Sequence, residues 1–505
     1  MVYSIRRHPD RWRAGGVWAG LAVMAAVLFA AGLYLDAPAD REAVVVQTVC
    51  RKILDNTTEG RQALVSSVWW PPLPVLLRLP LTGVLGADGT CLASRIVSAW
   101  FGAAVLVLLA GILRAWGLGR ERLLTVFAVA AYPPFLSGCL NGSSAALTVF
   151  LALLTLYGLV QWLAGQTLRH LIYFGLGSAG LLLADFGGAL WLLPVFLALA
   201  LERLVRRTGR QEKEAVLILA LLPPFYAAGL WFLMNWLVMG DALYFLQSLR
   251  GVAAGDDGGV CWSGPAGWCG GGAALPAAAL ALSAWKRDRA GLTLCVLTGG
   301  FVGVALALAF YGMIWDAAPV LLLCLFPAGI LCIGYVAGKL FAFSRSGRVA
   351  LSVIPLLVVL CAGVEAHFAG PRAGPEDGRD RDIWLPRIER HVLSRSEYPK
   401  VFVCGYDSFL LLGPDPGPIF AHALDFNFHQ AKEDYYGHDL YVLVHAPEGR
   451  SAMDSVHWKY PNMYRLGHRS TLYDRTFGNW RLFEIIQAPR GQAGRGIPGN
   501  VLGEP

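Results

Sequence analysis

The chain carries about eleven apolar stretches of near 20 residues, all within its first 370 positions. They lie near 16–35, 94–114, 122–138, 143–163, 170–184, 187–204, 214–238, 271–285, 290–312, 317–340 and 349–369; those at 170–184 and 271–285 are short or Gly-rich. Apart from those two, each is long enough to cross a hydrocarbon core as a helix. Hydrophobic residues make up 56% of the chain and charged residues only 15%, where a soluble domain carries roughly a quarter. The expected fold is a polytopic α-helical membrane protein over 1–370. A polar linker over 371–397, a small α/β domain over 398–488 and a disordered tail over 489–505 follow. Within the last region KVFVCGY, LYVLVHA and WRLFEII read as buried strands, and HQAKEDYYG and SAMDSVHWKYPNMY as helices or turns.

The net charge of +7 does not point to nucleic acid, because no basic face with interleaved aromatics is present. Lys and Arg fall instead in alternate connections: RRHPDRWR before the first span, Arg114 to Arg122, Arg169, ERLVRRTGRQEK, WKRDR and GKLFAFSRSGR. By the positive-inside rule these face the cytoplasm. The N-terminus is then inside. Loops 36–93, 139–142, 185–186, 239–270 and 313–316, and all that follows 370, are outside.

The first outside loop, 36–93, far exceeds the usual connection of about 4–6 residues. It opens with three acids, Asp36, Asp40 and Glu42. EAVVVQTVCRKIL then reads as an amphipathic helix with Val44, Val45, Thr48, Ile53 and Leu54 on its apolar side. Trp69 and Trp70 suit the headgroup layer, and Pro71 and Pro72 end helical continuation. LPVLLRLPLTGVLG (73–86) is too short to span and reads as a re-entrant or interfacial piece. Asp185 and Asp241 lie at the ends of apolar spans, where an acid is either functional or a turn at the interface. Outside the cytosol, Cys50 with Cys91 and Cys261 with Cys269 are either bridged or free. Asp425, His429 and Glu433 share a helical face that suits zinc in spacing, but they lack a specific signature and read by default as polar surface. No Walker loop, GxGxxG unit or GxSxG elbow is present.

Several stretches resemble one family in order. DREAVVVQTVCRKIL followed by WWPPLPVLLRLP is similar to the first periplasmic loop of GT-C class membrane glycosyltransferases. AYPPFLSGCLNGSSAALTVFLALLTLYGLVQW resembles the next helical hairpin of that class. PPFYAAGLWFLMNWLVMGDALYF, YVLVHAPEG, YPNMYRLGH and WRLFEI resemble a bacterial branch near the protein O-mannosyltransferase and lipid A aminoarabinose transferase group. The resemblance implies a bacterial inner-membrane enzyme. It moves a sugar from a polyprenyl-phosphate donor to a glycan, lipid or protein hydroxyl outside the cytosol, with inversion. It implies a first-loop carboxylate as general base: Asp40, Glu42 or Asp36. Arg41, Arg51, Arg61, Trp69, Trp70, Asp185, Asp241 and Tyr244 become candidates for donor binding. The departing phosphate's charge is offset by an arginine or by a divalent metal bridged by acids. The chain departs from the family in two places. Arg41 separates Asp40 from Glu42, and NGSSAA stands where many relatives carry a further acid. The alternatives are a lipid-linked saccharide flippase or other transporter, and a GT-C relative that binds or assembles without catalysis.

Overall fold

The computed structural model describes residues 14–34, 39–66, 71–86, 91–115, 122–165, 167–185, 210–244 and most of 377–486, with Leu192, Phe196 and Leu199 between. The chain divides into two compact units, Met1–Pro375 and Glu376–Pro505.

In the first unit the helices are α1 (Ala14–Tyr34), α2 (Arg41–Leu54), α3 (Thr58–Ser66), α4 (Pro72–Leu85), α5 (Leu92–Ala115), α6 (Arg122–Ala131), α7 (Pro133–Leu140), α8 (Ala145–Gly165), α9 (Leu168–Ala184) and α10 (Arg210–Met239). The stretches expected at 16–35, 94–114, 143–163, 170–184 and 214–238 correspond to α1, α5, α8, α9 and α10. The stretch at 122–138 is two helices, because Pro133 and Pro134 cannot continue α6 and instead begin α7 after an extended Tyr132. The stretches from 271 to 369, and nearly all of 187–204, lie outside the described residues.

Among the described residues Leu92–Arg114 and Glu214–Met239 are long and apolar enough to cross a membrane. α5 is largely packed into the helical core, whereas α10 turns much of its apolar surface outward: Phe225 is 69% exposed, Tyr226 66% and Leu237 65%. Such a face would be costly in water and is at no cost in hydrocarbon. The core itself joins α5 to α9, with Leu109, Leu113, Leu153, Phe174 and Leu181 fully enclosed. α8 and α9 approach closely because Gly177 meets the Thr155 hydroxyl where a Cβ would stand 2.6 Å away.

The first-loop helix forms where expected, with its covered side only partly as expected. Asp40 caps α2 with an extended backbone and accepts from Glu42 N at 2.8 Å, while Arg51 and Lys52 close its last turn. Its buried side is Ala43, Val45, Val46, Val49 and Cys50, with Gln47 and Thr48. Leu54 is exposed, and Val44 and Ile53 are only half-buried. Of the expected stripe Val45 and Thr48 are covered, and its far end at Ile53 and Leu54 is not, because the covered side runs on through Val46, Val49 and Cys50. No disulfide joins Cys50 and Cys91; Cys50 donates instead to the Val75 carbonyl at 3.5 Å, and burial pushes its thiol up to about 11. Cys261 and Cys269 lie outside the described residues.

The second unit begins with α11 (Asp377–Leu393), followed by β1 (Pro399–Cys404), α12 (Ser408–Leu412), β2 (Phe420–Ala423), α13 (Phe428–Asp434), β3 (Asp439–His445), α14 (Ser455–Lys459), α15 (Met463–Leu466), β4 (Thr471–Phe477) and β5 (Trp480–Ile485). The expected linker, 371–397, is therefore mostly helix. Its polar composition hides an apolar row, Trp384, Leu385, Ile388 and Val392, that packs on the sheet. The sheet order is β2-β1-β3-β5-β4, with β1 parallel to β2 and β3 and with β5 antiparallel to β3 and β4. Successive residues of β1 and β3 feed opposite cores: Val401, Val403, Tyr441 and Leu443 on one face, Phe402, Cys404, Leu440, Val442 and Val444 on the other. Burial on both faces explains why these strands read as unbroken apolar runs.

Candidate active site

Two segments a hundred positions apart meet at Asp40. Its backbone N–H donates to the Asn141 carbonyl at 2.9 Å, and the Asn141 side-chain amide donates to Asp40 Oδ2 at 3.2 Å. Two residues on, Ser144 N–H donates to Glu42 Oε2 at 3.3 Å. The 141–144 loop, which joins α7 to α8, thus holds both acids that the start of α2 presents. The acids are half-buried. The loop is folded tightly: Asn141 Oδ1 accepts from Ser143 N at 3.0 Å, and Gly142 takes φ +83° where a Cβ would press on Ala43 and Ser94.

Two buried arginines brace this junction. Arg78, on α4, donates through Nη2 to the Gly142 carbonyl at 3.0 Å, and Arg95, on α5, donates through Nη1 to the Gly32 carbonyl at 3.3 Å. Arg78 is only 1% exposed, and its Nε and Nη1 make no hydrogen bond. A guanidinium carries five donors, and burying it with several unused costs several kcal/mol, on the order of the penalty for any enclosed ion. Sequence reasoning missed Arg78, Arg95 and Asn141. The signal for Arg78 was present, since a charge inside an apolar helix is functional by default, but the prolines of 73–86 obscured the helix.

The other expected residues are placed as follows. Arg41 is half-buried at the first position of α2. Arg51 is not brought to the acids: it lies about 16 Å along α2 from Asp40 and pairs with exposed Asp55 at 2.9 Å. Arg61 is exposed on α3 and bonded to Asn56. Asp185 ends α9 in an extended conformation, half-buried. Asp241 is exposed and caps its own turn, accepting from Leu243 N at 2.9 Å and, through its backbone, from Tyr244 N at 3.2 Å. Asp36, Trp69, Trp70 and Asp425 lie outside the described residues. Among the described residues no three His, Cys, Asp or Glu side chains converge on a metal position, and Asp40 and Glu42 are not assigned as ligands.

A second polar group sits at the carboxyl ends of β1 and β3. Buried Asp407 accepts from Ser451 and lies 3.6 Å from the His445 ring, and buried His457 hydrogen-bonds the His445 backbone. Burial holds the His457 imidazole neutral, down at about 4.

Solved structures share this fold at low identity. The chain is similar to ArnT from Cupriavidus metallidurans bound to undecaprenyl phosphate, with TM-score 0.52, 13% identity, and coverage of 93% of this chain and 98% of that one. It is similar to the apo state of the same protein, with TM-score 0.51 and 14% identity over 94% and 98% of the two chains. An oligosaccharyltransferase from Archaeoglobus fulgidus in the apo form matches with TM-score 0.50 and 12% identity over 90% of this chain and 71% of that one. No protein-family profile and no curated protein sequence matches the chain. These identities define a fold and leave the subfamily open.

Proposed function

We propose that the chain is a membrane glycosyltransferase. It moves a sugar from a polyprenyl-phosphate donor to an acceptor hydroxyl on the non-cytosolic face of a bacterial inner membrane. The observation that carries this reading is the joint grip of the 141–144 loop on Asp40 and Glu42. A fold alone does not assign an activity; a pair of carboxylates held from two directions at the start of a membrane-surface helix gives the fold a place to do chemistry. Undecaprenyl phosphate bound to a structure of similar fold supports the choice of carrier.

Asp40 takes the proton of the acceptor hydroxyl as its oxygen bonds to the anomeric carbon. The bond from that carbon to the phosphate oxygen breaks, and polyprenyl phosphate leaves with the electron pair. Attack opposite the leaving group inverts the sugar. General-base assistance is worth about 10²–10⁴-fold. Glu42, fixed by Ser144 N–H, supports Asp40, and the unused N–H groups of Arg78 suit an anionic headgroup. About eleven spans, an inside N-terminus and an outside second unit complete the reading. Arg114 at the far end of α5 and Arg169 at the start of α9 support that orientation, each lying at the helix end away from the acids.

The test is transfer in membranes. Membranes carrying the wild-type chain are given a panel of radiolabelled polyprenyl-phosphate hexoses and pentoses. Label appearing in an acceptor, with release of polyprenyl phosphate, supports the transferase. Label that crosses the bilayer still attached to its carrier identifies a transporter, and neither outcome leaves a binding subunit.

A further inference from the structure

We infer that Asn141 is a positioning residue that sets the direction and the strength of the Asp40 carboxylate. The inference rests on the reading of Asp40 as the base.

Asn141 touches Asp40 twice. Its carbonyl accepts the Asp40 N–H at 2.9 Å, which fixes the backbone ahead of α2, and its Nδ2 donates to Oδ2 at 3.2 Å. The amide cannot turn over without loss, because Oδ1 already accepts from Ser143 N at 3.0 Å. A flipped amide would set two acceptors against each other at Asp40 and two donors against each other at Ser143. The network therefore assigns which end of Asn141 faces the acid. Asp40 Oδ1 is occupied by Glu42 N at 2.8 Å. With both oxygens engaged by N–H donors, the carboxylate plane is fixed from two segments: the first turn of α2 and the side chain of Asn141, which the turn after it holds in place.

The identity of the side chain matters as much as its reach. A neutral donor here favours the ionised form of Asp40 without adding charge. A carboxylate at the same position would oppose that ionisation, since two acids at this separation share one proton. The charged groups on the packed elements are Arg41 and Glu42 on α2, Arg78 on α4 through Gly142, and Arg95 on α5 through Gly32. Asn141 thus gives the Asp40 carboxylate a fixed aim through a neutral donor.

The experiment compares wild type, Asn141→Asp and Asn141→Ala, each purified full length in detergent at equal folded amount by size exclusion. Asp40 is labelled with carbodiimide and glycine ethyl ester across pH, and the modification is read by mass spectrometry. This readout needs no transfer activity. In Asn141→Asp, which keeps the shape of the side chain, the pH of half-protection at Asp40 moves up by about one unit or more. The acidic limb of the transfer rate moves with it. In Asn141→Ala, kcat falls on the order of tenfold through lost aim, while KM for the donor found by the panel stays within about twofold. A residue that only braces the loop would lower activity and leave both pH readouts where they were. Unmoved labelling in Asn141→Asp, or an unchanged kcat in Asn141→Ala, overturns the inference. A wild-type chain without transfer, but with shifted labelling in Asn141→Asp, overturns the proposed function and leaves the positioning intact.

Discussion

At Gly142 an added methyl group would stand 3.1 Å from Ser94 Cβ, 3.2 Å from Ala43 Cβ and 3.3 Å from Arg95 N, on a backbone with φ +83°. Only glycine takes that conformation at no steric cost. Gly142→Ala is expected to lose about 1–3 kcal/mol of stability, read as a lower thermal midpoint in detergent. It should also lose transfer, because lifting the loop withdraws Asn141 from Asp40 and Ser144 from Glu42. Arg78→Met tests the buried cation. Removing an enclosed charge relieves desolvation and offsets the lost bond to the Gly142 carbonyl, so stability should change by under about 1 kcal/mol. Transfer should fall tenfold or more through a weaker hold on the phosphate. Parallel losses of stability and transfer would limit Arg78 to bracing the 141–144 loop, with no part in holding the phosphate. Asp40 and Glu42 were legible in the sequence because carboxylates that follow an apolar run demand a reason. Asn141 was not, since its partner lies 101 positions away and no local period records such a contact.

Amphipathic periodicity located α2 and, in Val45 and Thr48, part of its covered side, but not the rest, because burial depends on what packs there. Val46, Val49 and Cys50 are enclosed while Leu54 is exposed. In the second unit, β1, β3 and β5 were legible as apolar runs. β2 was too short, and β4 (TLYDRTF) shows no alternation because it is an edge strand with a register shift between Tyr473 and Arg475. α11 was lost to its charge content. α14 carries a pH-sensitive residue, His457, which is 8% exposed. Its folded-state pKa, about 4, lies below the usual 6.5, so the unfolded chain binds the extra proton between those values. Stability from this group is complete above about pH 6.5 and falls as the pH drops towards 4, by on the order of 3 kcal/mol. Acid unfolding of the second unit should therefore start at lower pH in His457→Phe, monitored by tryptophan emission from Trp480 and Trp384. An unchanged acid midpoint would place the pH sensitivity elsewhere.

At the scale of the whole chain, composition alone separated an apolar portion from an ordinary one, and the two compact units divide at 375, close to that boundary. The identity of the apolar portion as membrane-embedded rests on α10. A photoactivatable acyl-chain probe should label Phe225, Tyr226 and Leu237 and spare the enclosed Leu109 and Leu113 of α5; equal labelling would contradict a lipid-facing α10. Orientation is tested by single cysteines in a chain whose native cysteines are replaced. A membrane-impermeant maleimide added outside intact spheroplasts should reach position 56 and not position 169. The central claim is that a carboxylate at the head of α2 removes the acceptor proton. Its most direct measurement is the transfer rate of Asp40→Asn against wild type, at matched amounts of folded protein and with carrier binding measured in parallel. The account predicts that transfer falls by at least about 10²-fold while polyprenyl phosphate still binds. Transfer at the wild-type rate in Asp40→Asn would contradict it.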